Sequence, residues 1–415
     1  MSVVIIGGGQ AGLQVADSLR SGGYPEDITV IADEPGLPYQ RPPLSKDYLA
    51  PEGRPAPLPL RAASFFADKD ITLRSGVRAA AVDRMARTVT LGDGEQVGYR
   101  HLVFATGAAN RPLSCQGADL PGVHLLRTLP DAERLHAELA AARRVVVVGA
   151  GFIGLEVAAA ARARGCEVTV LEFAPGPMGR ALSPVMGAWF AAAHARAGIR
   201  LQFNEGIASL EPGMDGRVGW AVSTTGARYR ADLVVAGIGV VPNDALAAAA
   251  GLETGNGIIV DAALRTSDLS VLAVGDCASF PSAHAGARIR VESVQNATDQ
   301  GRHAARTILG AAEPYTDLPW FWSNQGSLRL QIAGLSAPGD QLVTSGDPVS
   351  GKFSVLCFRN GRLAAVESVN SPGEHLGARK LLAAGLGPSP EEAAVPGFSL
   401  KTLARQAAAS ASSPV

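Results

Sequence analysis

Two glycine-rich turns constrain this chain more than any other feature: Gly7-Gly8-Gly9-Gln10-Ala11-Gly12 and, much later, Gly149-Ala150-Gly151-Phe152-Ile153-Gly154. Each follows a short β-branched run, Val3-Val4-Ile5-Ile6 before the first and Val145-Val146-Val147-Val148 before the second. Such runs read as parallel strands covered on both faces. A strand, a glycine turn and a helix in that order make a cradle for a pyrophosphate. The first glycine permits the tight turn, the second admits the phosphates to the backbone, and the third lets helix approach strand. The acid that should end the next strand is also present twice: Asp27–Ala32 runs into Asp33 and Glu34, and Glu167–Leu171 into Glu172. Each is placed to accept from a ribose hydroxyl. Two such units predict two bound dinucleotides.

The 415 residues leave room for roughly two to four domains, and 47% hydrophobic with 18% charged residues is ordinary globular composition. A formal net charge of -1 argues against a general polyanion-binding surface, so nucleic acid is not an expected partner. The first strand starts at residue 3 with no basic and apolar leader before it, and no run of about eighteen apolar residues follows. The expectation is a soluble, cytoplasmic protein without a membrane anchor. Cys115, Cys166, Cys277 and Cys357 show no CxxC spacing, so neither a zinc site nor a local redox disulfide is encoded, and all four are expected as small buried residues. The seven histidines show no ligand spacing, so no metal is expected and no histidine is assigned a catalytic role.

Leu37 to Lys46 is proline-rich and reads as a fixed loop or a late helix start, and prolines at 51, 55, 57 and 59 predict a surface excursion. His101–Ala105 followed by Thr106-Gly107 closes the first half of a nucleotide domain, and Leu233–Ala236 with its glycine turn closes the second. Val271–Val274 then ends in Gly275-Asp276, a carboxylate at the carboxyl end of a strand, where open α/β sheets bind ligands. From residue 317 aromatic and alternating segments, Leu328–Ile332 and Phe353–Phe358 among them, suggest antiparallel strands. The expected fold is α/β, with two Rossmann-like dinucleotide-binding domains, one inserted in the other, and a C-terminal α+β domain. The boundaries read as 1–111 with 240–316, 112–239, 317–400, and a frayed tail at 401–415.

Tyr39–Lys46, Gly149–Glu156, Val274–Asp276, Glu292–Ala297 and Pro319–Ser323 together resemble the FAD-dependent ferredoxin reductases that supply bacterial cytochrome P450 and aromatic-ring oxygenase systems. The resemblance spans Val3 to about Lys401. It implies FAD in the first domain, with Gly7, Gly9, Ala11 and Gly12 on the pyrophosphate and Asp33 or Glu34 on the adenosine ribose. Arg41, Lys46 and Arg127 would lie nearer the rest of the cofactor, Asp276 on the ribityl or pyrophosphate side, and Val294 at the isoalloxazine. The second domain would hold NADH on Gly149, Gly151 and Gly154. Lys46 and Glu156 would form the catalytic pair that steadies the reduced flavin's charge. Trp320, Phe321 and Trp322 would border the flavin.

Glu172 implies NADH over NADPH, because a carboxylate accepts from a 2′-hydroxyl and repels a 2′-phosphate; Arg180 is the residue that argues the other way. Disulfide and peroxide reductases of this architecture use cysteine beside the flavin, and residues 39–46 contain none. Single-electron transfer to a [2Fe-2S] ferredoxin is therefore the expected outlet, with Arg302, Arg329 and Lys401 as docking candidates. Two alternatives stand beside it: an NADH-binding flavoprotein resembling apoptosis-inducing factor, and a rubredoxin reductase.

Overall fold

In the computed structural model the described residues are 2–51 and 58–412, so the middle of the proline excursion at 51–59 lies outside them. In chain order the elements that carry the site begin with β1 (Val3–Ile6), α1 (Gln10–Ser21), β2 (Ile28–Ala32), β3 (Ile71–Ser75) and β4 (His101–Phe104). Next come β5 (Val123–Leu125), α2 (Leu129–Leu139), β6 (Arg144–Val148), α3 (Phe152–Ala163), β7 (Glu167–Glu172), α4 (Pro184–Arg196), β8 (Ile199–Phe203) and β9 (Leu233–Ala236). The chain continues with β10 (Val271–Ala273), α5 (Val294–Ile308), β11 (Trp320–Gln325), β12 (Leu328–Gly334), β13 (Gln341–Asp347), β14 (Lys352–Arg359) and β15 (Arg362–Val369). It ends in α6 (Pro372–Ala383) and α7 (Leu400–Ser412).

The chain divides into two compact units. Unit 1 comprises Met1–Gln40, Pro57–Ala109 and Val240–Pro319. Its sheet has the order β10-β4-β1-β2-β3 and is parallel throughout. Val3, Val4 and Ile5 are wholly buried, as a strand with both faces covered requires. On one face α1 crosses α5 closely: a Cβ at Gly301 would fall 2.8 Å from the Ala11 carbonyl oxygen, so only glycine fits there.

Unit 2 comprises Arg41–Ala56, Asn110–Gly239 and Trp320–Val415. It holds a second parallel sheet, β8-β7-β6-β9-β5, and an antiparallel one, β11-β12-β15-β14-β13. These units depart from the boundaries expected from sequence in two ways. Residues 41–51 go with the second nucleotide fold, because Arg164 at the end of α3 donates to the Leu49 and Ala50 carbonyls at 2.7 and 2.8 Å. The C-terminal sheet also joins that fold. Glu367 on β15, fully buried, accepts from the Ser183 amide at 2.7 Å and the Ser183 hydroxyl at 2.6 Å, at the head of α4.

The expected tail at 401–415 is corrected for its described part: Leu400–Ser412 is helical. Leu400, Leu403, Ala404 and Ala407 recur at helical spacing. Glu374 fastens the start by accepting from Ser399 Oγ and the Leu400 amide at 2.8 and 2.7 Å. Among the described residues no helix is long and apolar enough to cross a membrane.

Candidate dinucleotide and redox site

The first glycine turn is shaped by close backbone approach. Gly7 has φ +118°, and a Cβ there would fall 2.1 Å from the Ala105 carbonyl oxygen, while one on Gly12 would fall 2.0 Å from the Gly7 oxygen. Gly149 and Gly154 repeat this, at φ +101° and with Gly154's Cβ position 2.1 Å from the Gly149 oxygen. The middle glycines differ. A Cβ on Gly9 would meet nothing within 4 Å, and one on Gly151 would meet only the Gly237 oxygen at 3.9 Å. Both middle positions therefore face open space.

The helices that begin there lack a side-chain cap. Gly9 and Gly151 are the N-caps of α1 and α3. By contrast Thr128, Ser183 and Ser293 cap α2, α4 and α5 with their hydroxyls. First-turn amides without a side-chain acceptor, at the positive end of a helix, need an anion or water. Two such ends, each over an open glycine, fit two pyrophosphates.

The acids expected to meet the riboses lie at both mouths. Glu172, ending β7, accepts from the Ala150 amide at 2.6 Å and the Ala174 amide at 2.8 Å. In unit 1 Asp33 is exposed just beyond β2, whereas Glu34 accepts from the Tyr39 hydroxyl at 2.5 Å. Asp276 lies in a 3₁₀ turn, Gly275–Cys277, directly after β10, and Gln300 on α5 anchors that turn by accepting from the Gly275 amide at 2.7 Å. Val294 opens α5, half-buried. Arg41 reaches Arg127, donating to its carbonyl at 2.7 Å.

Lys46 and Glu156 meet. Lys46 Nζ lies 2.7 Å from Glu156 Oε2 with the carboxylate almost wholly buried. Ser45 also donates to Oε2, at 2.5 Å, and Ser323 on β11 donates to Oε1 at 2.6 Å. Neither Ser45 nor Ser323 is assigned a role from sequence, although both fall in stretches that carry the resemblance, Tyr39–Lys46 and Pro319–Ser323.

Trp322 is half-buried and, with Trp320, Arg329, Gln331, His375 and Arg379, lines a recess of about 370 Å³. The Arg379 guanidinium stacks 3.9 Å over the Trp320 ring, and the Trp320 and Trp322 rings lie 5.5 Å apart. Of the docking candidates only Arg329 is in this recess; Arg302 pairs with Asp299 at 3.2 Å, and Lys401 packs beside Gly373.

All four cysteines are free, and Cys166, Cys277 and Cys357 are buried as expected, with Cys115 half-buried. Burial pushes every one of the four thiols up from its ordinary value, away from the thiolate that a sulfur relay needs. No metal-holding cluster occurs among the described residues.

The architecture is that of a two-dinucleotide oxidoreductase, and comparison with known proteins agrees. Residues 1–301 match the pyridine nucleotide-disulphide oxidoreductase family and residues 320–404 the reductase C-terminal family. The chain belongs to the pyridine nucleotide-disulphide oxidoreductase family. It is 49% identical to rhodocoxin reductase of Rhodococcus erythropolis over 401 residues, covering 97% of this chain and 94% of that one. Among solved structures it resembles the ferredoxin reductase of the CYP199A2 system from Rhodopseudomonas palustris, with TM-score 0.94, 47% identity and coverage of 97% and 99%. It also resembles the covalent putidaredoxin reductase–putidaredoxin complex, with TM-score 0.94, 36% identity and coverage of 98% and 99%.

Proposed function

We propose that this chain is an FAD-dependent NADH:ferredoxin oxidoreductase that supplies a cytochrome P450 or Rieske-type oxygenase, working in the cytoplasm. The observation that carries this reading is the segment 42–46: it delivers Ser45 and Lys46, not cysteine, to the buried Glu156 carboxylate. No thiol in the chain is set up to carry electrons, so they leave directly to an external one-electron centre.

FAD, when bound, supplies the conversion of one hydride into two single electrons. The chain's own residues do the rest. The uncapped ends of α1 and α3 hold the pyrophosphates, Asp33 or Glu34 and Glu172 take the riboses, and Arg41, Arg127, Asp276 and Val294 serve the FAD beyond its pyrophosphate. Glu156, in the second turn of α3, and Lys46, from the loop before it in sequence, form a charged pair near the nicotinamide cradle and orient that half of the reaction while excluding water. The cationic recess around Trp320, Trp322, Arg329 and Arg379 is the docking surface for a [2Fe-2S] ferredoxin.

Anaerobic titration of the yellow protein with NADH tests this. Stoichiometric bleaching followed by recovery on adding a [2Fe-2S] ferredoxin is expected; a colourless protein, or turnover blocked by thiol alkylation, overturns it. Fast ferredoxin reduction also rejects the reading as an NADH-switched flavoprotein resembling apoptosis-inducing factor, and rubredoxin as the preferred acceptor would move the chain to the other class.

A further inference from the structure

The Lys46–Glu156 pair is completed by an element far away in sequence. Glu156 Oε2 accepts from Lys46 and Ser45, and Oε1 accepts from Ser323 Oγ. Beyond Ser323 the chain of contacts continues: Gln325 Nε2 lies 3.2 Å from Ser323 Oγ, and His194 Nε2 lies 2.6 Å from Gln325 Oε1. Glu156, Ser323, Gln325 and His194 are 3%, 0%, 2% and 2% exposed, so bulk water does not compete for these groups.

The direction of every bond follows from what each group is able to do. A carboxylate only accepts, so the single Ser323 proton goes to Glu156. The Ser323 oxygen then accepts from the Gln325 amide nitrogen, whose contact with Met178 Sδ at 3.4 Å occupies its other hydrogen. Gln325 must turn its carbonyl toward His194, and His194 must carry hydrogen on Nε2. Burial lowers His194 below its ordinary pKa, so the ring is neutral and a single tautomer fits.

We infer that Ser323, Gln325 and His194 are positioning residues for Glu156, through which β11 and α4 fix the orientation of the carboxylate that pairs with Lys46. This rests on the reading of Lys46 and Glu156 as the pair serving hydride transfer. It gives the antiparallel sheet a part in the redox step: two alternate residues of one strand, Ser323 and Gln325, point the same way and speak to the active carboxylate in sequence.

The test uses the FAD-loaded enzyme with Ser323→Ala, Ser323→Thr, Gln325→Leu and Glu156→Gln. Loss of the hydrogen bond to the charged Glu156 should slow flavin reduction by NADH roughly ten-fold in Ser323→Ala, and loss of the neutral bond that orients Ser323 should slow it several-fold in Gln325→Leu. Ser323→Thr should restore it, and KM for ferredoxin should not change. Imidazole ¹⁵N NMR of the wild-type protein should find His194 as the Nε2–H tautomer, a readout that needs neither turnover nor a variant that folds. An Nδ1–H tautomer overturns the inference. So does an unchanged reduction rate in Ser323→Ala when Glu156→Gln is slow, which leaves the role of Glu156 intact. If Glu156→Gln itself reduces at the wild-type rate, it is the underlying reading of the pair that falls.

Discussion

The Ala150 amide and the Glu172 carboxylate, separated by a whole helix and strand, are joined by a 2.6 Å hydrogen bond across the mouth of the second glycine turn. The acid is thereby fixed at the end of β7, its second oxygen tied to Ala174, in the position proposed for an adenosine ribose. A fixed anion at that place selects against a 2′-phosphate. The expected kcat/KM is at least about ten-fold higher for NADH than for NADPH, the scale of one charged hydrogen bond. Glu172→Ser should narrow the gap from both sides. Arg180 is exposed and within 3.1 Å of the Gly239 Cβ position, so NADPH matching NADH would show that this guanidinium outweighs Glu172.

Within each glycine turn the positions should respond differently. Gly9→Ala and Gly151→Ala put a methyl group into open space. These variants should fold with little change in Tm, yet lose FAD or NADH affinity respectively. Gly12→Ala and Gly154→Ala drive Cβ to 2.0 and 2.1 Å from a backbone oxygen, so both should be grossly destabilised. Thermal melts of cofactor-free protein, paired with binding titrations, separate the two effects; a Gly9→Ala protein with full FAD affinity would remove that turn from the cofactor site.

His375 should make the protein acid-sensitive. Burial, with Arg379 and Arg329 nearby, pushes its pKa from 6.5 down to about 4. Between those values the unfolded chain binds a proton that the folded chain refuses, so stability falls as pH drops from about 6.5 toward 4 and is flat above. The full loss is roughly 3 kcal/mol by linkage. Melting temperature measured from pH 4 to 7 should show this slope, and His375→Gln should flatten it; an identical slope in the variant would assign the acid sensitivity elsewhere.

Arg379 should matter to the acceptor and not to the nicotinamide. Arg379→Glu reverses a charge in the recess while leaving the glycine turns untouched. KM for the ferredoxin should rise several-fold and its dependence on ionic strength should weaken, as expected when a steering charge is lost. The rate of flavin reduction by NADH should be unchanged. A ferredoxin KM equal to wild type would move the docking surface away from Trp320 and Trp322.

Both nucleotide folds were legible in the sequence because the first and third glycines of each turn are selected by backbone contact, which leaves no alternative residue. The C-terminal strands were legible from alternation: Leu328–Ile332 and Phe353–Phe358 lie inside strands β12 and β14. The helix at Leu400–Ser412 was missed because its alanines, strong helix formers, were read as featureless. At the site, Lys46 and Glu156 came from a family resemblance and not from spacing. Ser323 lies at the end of the Pro319–Ser323 stretch that carries the resemblance, but nothing there marked its link to Glu156, and Gln325 and His194 had no local signal, since a hydrogen-bond chain between a helix and a strand more than a hundred residues apart leaves no period in the sequence. The grouping of the strands from Trp320 onward with the second nucleotide fold was hidden for the same reason: it rests on contacts between residues far apart in sequence, Glu367 with Ser183 and Gln325 with His194 among them.

Unit 1 is assembled from three stretches of chain, and the strand at one end of its sheet, β10, is supplied by Val271–Ala273. During synthesis, β1 to β4 must wait on the ribosome with one edge of β4 unpaired while some 160 further residues emerge. An open parallel edge is a template for wrong pairing. The nascent protein is therefore most in need of chaperone protection in the interval when the inserted fold has been made and the last strand of the first has not.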